Sequence, residues 1–533
     1  MRTLKYAVSA AALAVAVSLA PMAAEAQSVL RLDEVPVGEL DPAKATDFVD
    51  TMLMFNAYDT LLLPAQGTGG LAPHLASDYT VDGNDFTFTL RDDINFESGN
   101  PLTADDVVYS YDRLIALGQG FSHLFRDHVA SVEALDDHTV RFSLNAPYAP
   151  FLAALTRLQI VDSQAAIANS VEGDYGDNGD YGQAYLSANS AGTGAYNVTD
   201  HNPQELTLLA RNDDYFLDIE DGAPDEVRLV YGLEGATVRT LMSRGEHDIS
   251  SQWLAPEIIR ALAERDDMHL FRESGTGGFY IKLNTQRAPL DDVHCRRALA
   301  HALDYDSVIQ LIQITDEVAQ GVPANGPLPA GMLGANPDLP VPTRDMDAAM
   351  AELQQCAYVP DEHTIEISWV AEVPLEERFA LLMQANFQEL GFNTEVVRVP
   401  WALFTERVTQ VDTTPHIGQV YVRATTPDPD ALIYNMYHSD VAGTWQSTEW
   451  LNDPEVDAML EAGRSTIDQD ERAQIYRDLG ARLVELQPTI YAFDTQSVYV
   501  ARDAVEAETL SGDGESSYSL DGANFMFRHM NVQ

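Results

Sequence analysis

Arg423 ends the alternating apolar stretch Ile417 to Val422, and the run Arg423-Ala424-Thr425-Thr426-Pro427-Asp428-Pro429-Asp430 closes it. A guanidinium there can grip a carboxylate through two parallel hydrogen bonds, either on a ligand or within a chain this acidic. Trp253 stands just past the strand-like His247-Asp248-Ile249, and Trp401 directly follows the strand Thr394 to Val399, with Phe404 one helical turn on. Trp445 falls in a loop-rich region with Tyr434, Tyr437, His438 and Trp450. Aromatic faces at such places stack on sugar rings or apolar side chains of a ligand, and plain packing is the competing role. Covalent chemistry has no comparable footing. There is no Gly-x-Ser-x-Gly elbow, His-Glu-x-x-His, Gly-Lys-Ser/Thr phosphate loop or Cys-x-x-Cys pair. His123 and His128 are five apart, which misses the spacing that sets two ligands on one helical face. Asp174, Asp177, Asn178 and Asp180 lack the alternation of a calcium loop. The expectation is a binder, with no catalytic residue, metal or cofactor.

The elements that must carry these residues follow from periodicity. Phe279, Ile281 and Leu283 alternate with Tyr280, Lys282 and Asn284, the period of a half-buried strand. Pro289 stops it, and Asp291 or Asp292 can cap a helix in which Cys295, Ala298, Leu299 and Ala302 share a face. Phe86, Phe88 and Leu90 mark another strand, after which Thr103 and Asp106 form a capping box for a helix through Leu114. Helical spacing is read over Asp47 to Leu63, Met346 to Tyr358 and Leu375 to Leu390, and strands over Thr364 to Val370 and Thr394 to Val399. This βαβ order predicts an α/β fold with parallel pairing.

At 533 residues, the chain is too long for one core, so at least two domains are expected. Arg2 and Lys5, an apolar run from Tyr6 to Ala20 and Ala24-Glu25-Ala26 read as a secretory signal over residues 1–26, cleaved near Ala26. The 31 basic against 83 acidic residues give a net charge of −52, and only Lys5, Lys44 and Lys282 are lysines. That balance argues against nucleic acid as a partner and reads as a surface hydrated in salt. Cys295 and Cys356 can bridge in an oxidising compartment or stay as two buried thiols.

The stretch from Leu71 to Leu114, with Leu90-Arg91, Phe96, Gly99 and Leu102-Thr103-Ala104-Asp105, resembles the signature region of the peptide/nickel class of extracellular solute-binding proteins, the receptors that feed ABC importers. Gly192-Thr193-Gly194-Ala195-Tyr196, the strand with Asn284-Thr285, and Asp428-Pro429-Asp430 are similar to further motifs of that family. The resemblance implies a two-lobe (Venus flytrap) fold: a first lobe over 27–283 with a subdomain at about 72–195, a second lobe over 284–487, and a return over 488–533. It implies a monomer that closes on a peptide or peptide-like solute in the periplasm and docks on a permease. An oligosaccharide, opine or nickel chelate as ligand, or a chemosensory role, would use the same fold. Hinge candidates are Phe279 to Asn284 and Thr489 to Phe493. The cleft residues implied are Trp253, Gly277, Tyr280, Asn284, Trp401, Arg423, Thr425, Asp428 and Trp445. Peptide-binding relatives carry an aspartate for the ligand ammonium where this chain has Thr425, and a hydroxyl cannot act as that counter-ion.

Overall fold

The computed structural model describes residues 27–67, 70–510, 520 and 522–533. The predicted signal segment 1–26 lies outside them. The chain opens with β1 (Val29–Glu34), the helix Phe48–Ala57 and the short pair β2 (Leu62–Pro64) and β3 (Leu71–Pro73). Then come β4 (Ala76–Asp82), β5 (Asp85–Leu90), the helix Ala104–Leu117, β6 (Val129–Asp136) and β7 (Thr139–Leu144). β8 (Tyr196–Asn202), β9 (Leu206–Arg211) and β10 (Glu226–Tyr231) precede the long β11 (Met268–Leu283). The rest carries β12 (Gly321–Pro323), β13 (Thr364–Val370), β14 (Asn393–Val399), β15 (Ile417–Arg423), β16 (Thr489–Arg502), β17 (Val505–Ala507) and β18 (Met530–Val532).

Three larger sheets organise most of these strands, and β2-β3 and β17-β18 form two-stranded sheets of their own. One has the order β1-β10-β9-β8, a second β4-β5-β7-β6, and the third β12-β16-β11-β15-β13-β14. β13 and β14 pair in parallel across the helix Pro374–Glu389, as the βαβ reading required. β11 and β16 run antiparallel for most of their length, and their register breaks between Ser274 and Gly278. Ile249 bridges Leu32 of β1 and Ala501 of β16, so the far half of β16 joins the first sheet while its near half builds the third. Two long strands thus tie the sheets together. At the crossing, a side chain on Gly277 would strike the Val422 carbonyl of β15, which is why the strand is glycine there.

The residue types explain the layers. In β5, Phe86, Phe88 and Leu90 point into one core with Phe142 and Phe151, and the Thr103/Asp106 capping box forms as predicted. The β11 expectation fails in one respect: the strand is covered on both faces. Phe279, Ile281 and Leu283 enter one core, whereas Tyr280 enters a second and Lys282 is buried beside it. A polar residue at an alternate position signalled solvent, but here an internal ion pair removes that need. The helix predicted to Leu63 stops at Ala57, because Asp59 is drawn off by His74, Thr193 and Tyr215 and the chain turns into β2. The helix predicted to Tyr358 stops at Leu353, where Asp292, the N-cap of the helix Val293–Ala302, also accepts from the Ala357 amide.

Cys295 and Cys356 form a disulfide, with Cα atoms 5.0 Å apart and 61 residues between them in sequence. Of the two alternatives, the bridge is the one realised. Replacing both by serine should lower stability by about 2–4 kcal/mol, through the entropy the loop regains on unfolding. Urea unfolding of the two proteins reads this directly, and coincident curves would show the bridge to be thermodynamically idle.

Candidate functional site

A cavity of about 540 Å³ lies where the crossing strands meet both halves of the molecule. Its walls come mainly from four places, with Ile312 and Gln320 completing them. The segment Gln252 to Glu257 leads into the helix Pro256–Ala263, and Glu372 to Arg378 begins the helix Pro374–Glu389. Tyr421 and Arg423 end β15, and Phe493 with Thr495 to Val498 belong to β16. Alternation on β15 sends Tyr421 and Arg423 to the cavity side while Val420 and Val422 fill the core behind.

The polar groups are tightly arranged. Arg423 Nη2 donates to Gln252 Oε1 at 3.2 Å, and its guanidinium lies 5.6 Å from the Trp253 ring and 5.8 Å from that of Phe48. Ser497 Oγ donates to the same Gln252 oxygen at 2.6 Å. Arg378 and Glu257 pair across the cavity at 3.3 Å, both about half exposed, so this link is weak. Glu372 accepts from the Trp401 amide at 3.0 Å. Glu34, behind Arg423, accepts from Ser251 at 3.4 Å, and burial, helped by Asp33, pushes its carboxyl up to about 8. Burial also raises the Tyr421 phenol, which stays neutral at physiological pH.

The predicted cleft residues divide. Arg423 and Trp253, the latter 56% exposed, line the cavity. Trp401, 37% exposed, joins the rim through Glu372 and packs edge-on against Trp445 at 5.4 Å. Thr425 receives Arg157 Nε on its carbonyl, and its buried hydroxyl has no hydrogen-bond partner among the described residues. The others serve the interior. Tyr280 donates to the Pro327 carbonyl at 3.0 Å inside a core. Asn284 closes the turn after β11, receiving Gln286 N–H and donating to Val411. Asp428 is taken up by Arg472 in a buried bidentate pair at 2.6 and 2.7 Å, so the acid nearest Thr425 in the motif is already neutralised. Gly277 is needed for strand contact. Gln252, Glu257, Glu372 and Arg378 were missed, since neutral amides and surface helix charges carry no periodic signal. Among the described residues no cluster of three or more metal-ligating side chains occurs, and no helix is long and apolar enough to cross a membrane.

Two sheet-containing halves tied by crossing strands, with a cavity between them, define a two-lobe α/β binding protein. Residues 70–444 match the family model for bacterial extracellular solute-binding proteins, family 5 (middle region), and the chain belongs to that family. It is 27% identical over 462 residues to a probable D,D-dipeptide-binding periplasmic protein, DdpA, of Escherichia coli K12, covering 85% of this chain and 86% of that one. Its fold is similar to that of DppA from Helicobacter pylori in complex with the peptide STSA, at TM-score 0.76 and 22% identity, covering 95% of this chain and 98% of that one. The dipeptide binding protein of Pseudoalteromonas sp. SM9913 in complex with Met-Leu gives TM-score 0.76 at 22% identity, covering 95% and 100%.

Proposed function

We propose that the cavity captures a peptide or peptide-like solute in the periplasm, after removal of residues 1–26, and that the monomer delivers it to an ABC permease. The cavity carries this reading: about 540 Å³ falls in the range of small-ligand sites, roughly 300–1,000 Å³, and holds few polar groups among apolar walls. The names of the E. coli and Pseudoalteromonas relatives support the solute class. Ligand contacts would stabilise the shut form only by their differential affinity for it, with motion at β11 and β16 between lobes bounded near 283 and 487. Thr425 argues for a guest without a free α-ammonium beside it, which keeps an opine-like or other modified solute as the second reading.

Thermal shift across peptide libraries tests this. A ligand at 100 times its Kd should add about 2.7 kcal/mol to the unfolding free energy. Stabilisation by oligosaccharides with none by any peptide would overturn the solute class, and turnover of a bound solute would overturn the non-catalytic role.

A further inference from the structure

We infer that the side chain of the guest that this cavity encloses is uncharged and aliphatic or aromatic, so that the protein selects apolar peptides over acidic and basic ones. This rests on the reading of the cavity as the binding site and adds which guests it prefers. Every charged side chain lining the cavity already has a partner within the protein. Glu257 and Arg378 pair with each other, Glu372 accepts the Trp401 amide, and Arg423 donates to Gln252. A charged guest side chain would leave water for a space that offers it no counter-ion unless one of these contacts breaks, and that desolvation is costly.

Most of the remaining wall is apolar, and it comes from both halves of the molecule. Trp253 and Leu254 lead into the helix Pro256–Ala263, Val373 and Leu375 flank Pro374 at the start of the helix Pro374–Glu389, and Phe493 of β16 adds a ring. The two helix starts are built without the polar cap that other helices of this chain carry. The helices Val293–Ala302, Met346–Leu353 and Pro454–Ser465 begin at an aspartate whose carboxylate accepts backbone N–H groups. The two at the cavity begin instead at Ala255 and Val373, with proline in the first turn and no side-chain cap. Both of those residues line the cavity, so an aspartate at either place would put a carboxylate in its wall. In a chain with 83 acidic residues, these positions keep the wall apolar. Trp253 is 56% exposed, and a guest side chain laid against its ring removes apolar surface from water on both partners.

Calorimetric titration of the full chain tests this with dipeptides varied at one residue through glycine, alanine, valine, leucine, phenylalanine, aspartate and lysine, each with a free and with an acetylated N-terminus. From alanine to leucine, affinity should rise about fourfold for each methylene that enters the cavity. The aspartate and lysine peptides should bind at least about 30-fold more weakly than the leucine peptide. Trp253→Ala should cost the leucine and phenylalanine peptides about tenfold more affinity than the glycine peptide. An unaltered melting curve is the control for folding in that variant. Affinities that ignore side-chain size, or that are highest for aspartate or lysine, would overturn the preference and leave the peptide reading intact. Failure of every peptide to bind would overturn that reading and the preference with it.

Discussion

Lys282→Met is expected to destabilise the protein by about 3–5 kcal/mol, a change no surface lysine would produce. Lys282 and Glu449 both have fully buried side chains, with Nζ 2.6 Å from Oε1. The ammonium also donates to the Gln446 carbonyl at 2.8 Å and lies 5.4 and 5.3 Å from the Tyr280 and Tyr437 rings. Thr489 Oγ1 donates to the same Glu449 oxygen at 2.9 Å. A central strand, a loop and the returning strand are therefore joined through one charge pair. Removing only the cation strands a carboxylate in the core, and that desolvation supplies most of the loss. Lys282→Met/Glu449→Leu removes both charges and should regain at least half of it, short of full recovery because Gln446 and Thr489 lose partners. Urea unfolding at pH 7 measures all three proteins. At pH 4 the single variant should lose less, since Glu449 can then be protonated. A double variant as unstable as the single one would show that the pair contributes through shape and not charge.

Lys282 also shows how far the sequence could be read. Alternation along Phe279 to Asn284 marked a strand correctly, because period 2 depends only on backbone geometry. It could not say that the second face was buried too, since Glu449 lies 167 residues away and nothing local announces it. The same limit divided the proposed cleft residues. Trp253 and Trp401 were placed by a local rule, an aromatic just past a strand end, and both reach the cavity or its rim. Asp428 and Arg423 look alike in sequence as charges in one loop, but Arg472, from a helix 44 residues on, takes the first into a buried pair, and the second lines the cavity, where it donates to Gln252. Gln252 carries no charge or period to flag it. Only the fold sets it in the cavity wall, where its oxygen accepts from Arg423 and Ser497.

Glu376→Gln should make the protein more stable in a pH-dependent way, with a gain near zero at pH 4.5 that rises to roughly 3–5 kcal/mol above pH 8. Glu376 sits in the first turn of the helix Pro374–Glu389, is 1% exposed, and accepts the Val370 amide at 2.7 Å. Burial pushes its carboxyl up to about 8, with nearby Glu372 adding to the rise and the Val370 hydrogen bond opposing it. The sign follows from the raised value. In the unfolded chain the group ionises near 4.5, so between 4.5 and 8 the native state holds a proton that the unfolded state has released. The stability that burial of the neutral acid provides is complete below pH 4.5 and is lost as pH climbs to 8. Glutamine mimics the neutral acid, retains an acceptor for Val370 and has nothing to titrate. Urea midpoints of the two proteins at pH 5, 7 and 9 should therefore separate progressively. Glu34 and Asp494, held up at about 8 and about 7 by burial, titrate in both proteins and cancel in the difference. A difference that is flat across pH would mean that water reaches Glu376, and with it the helix start that forms one wall of the cavity.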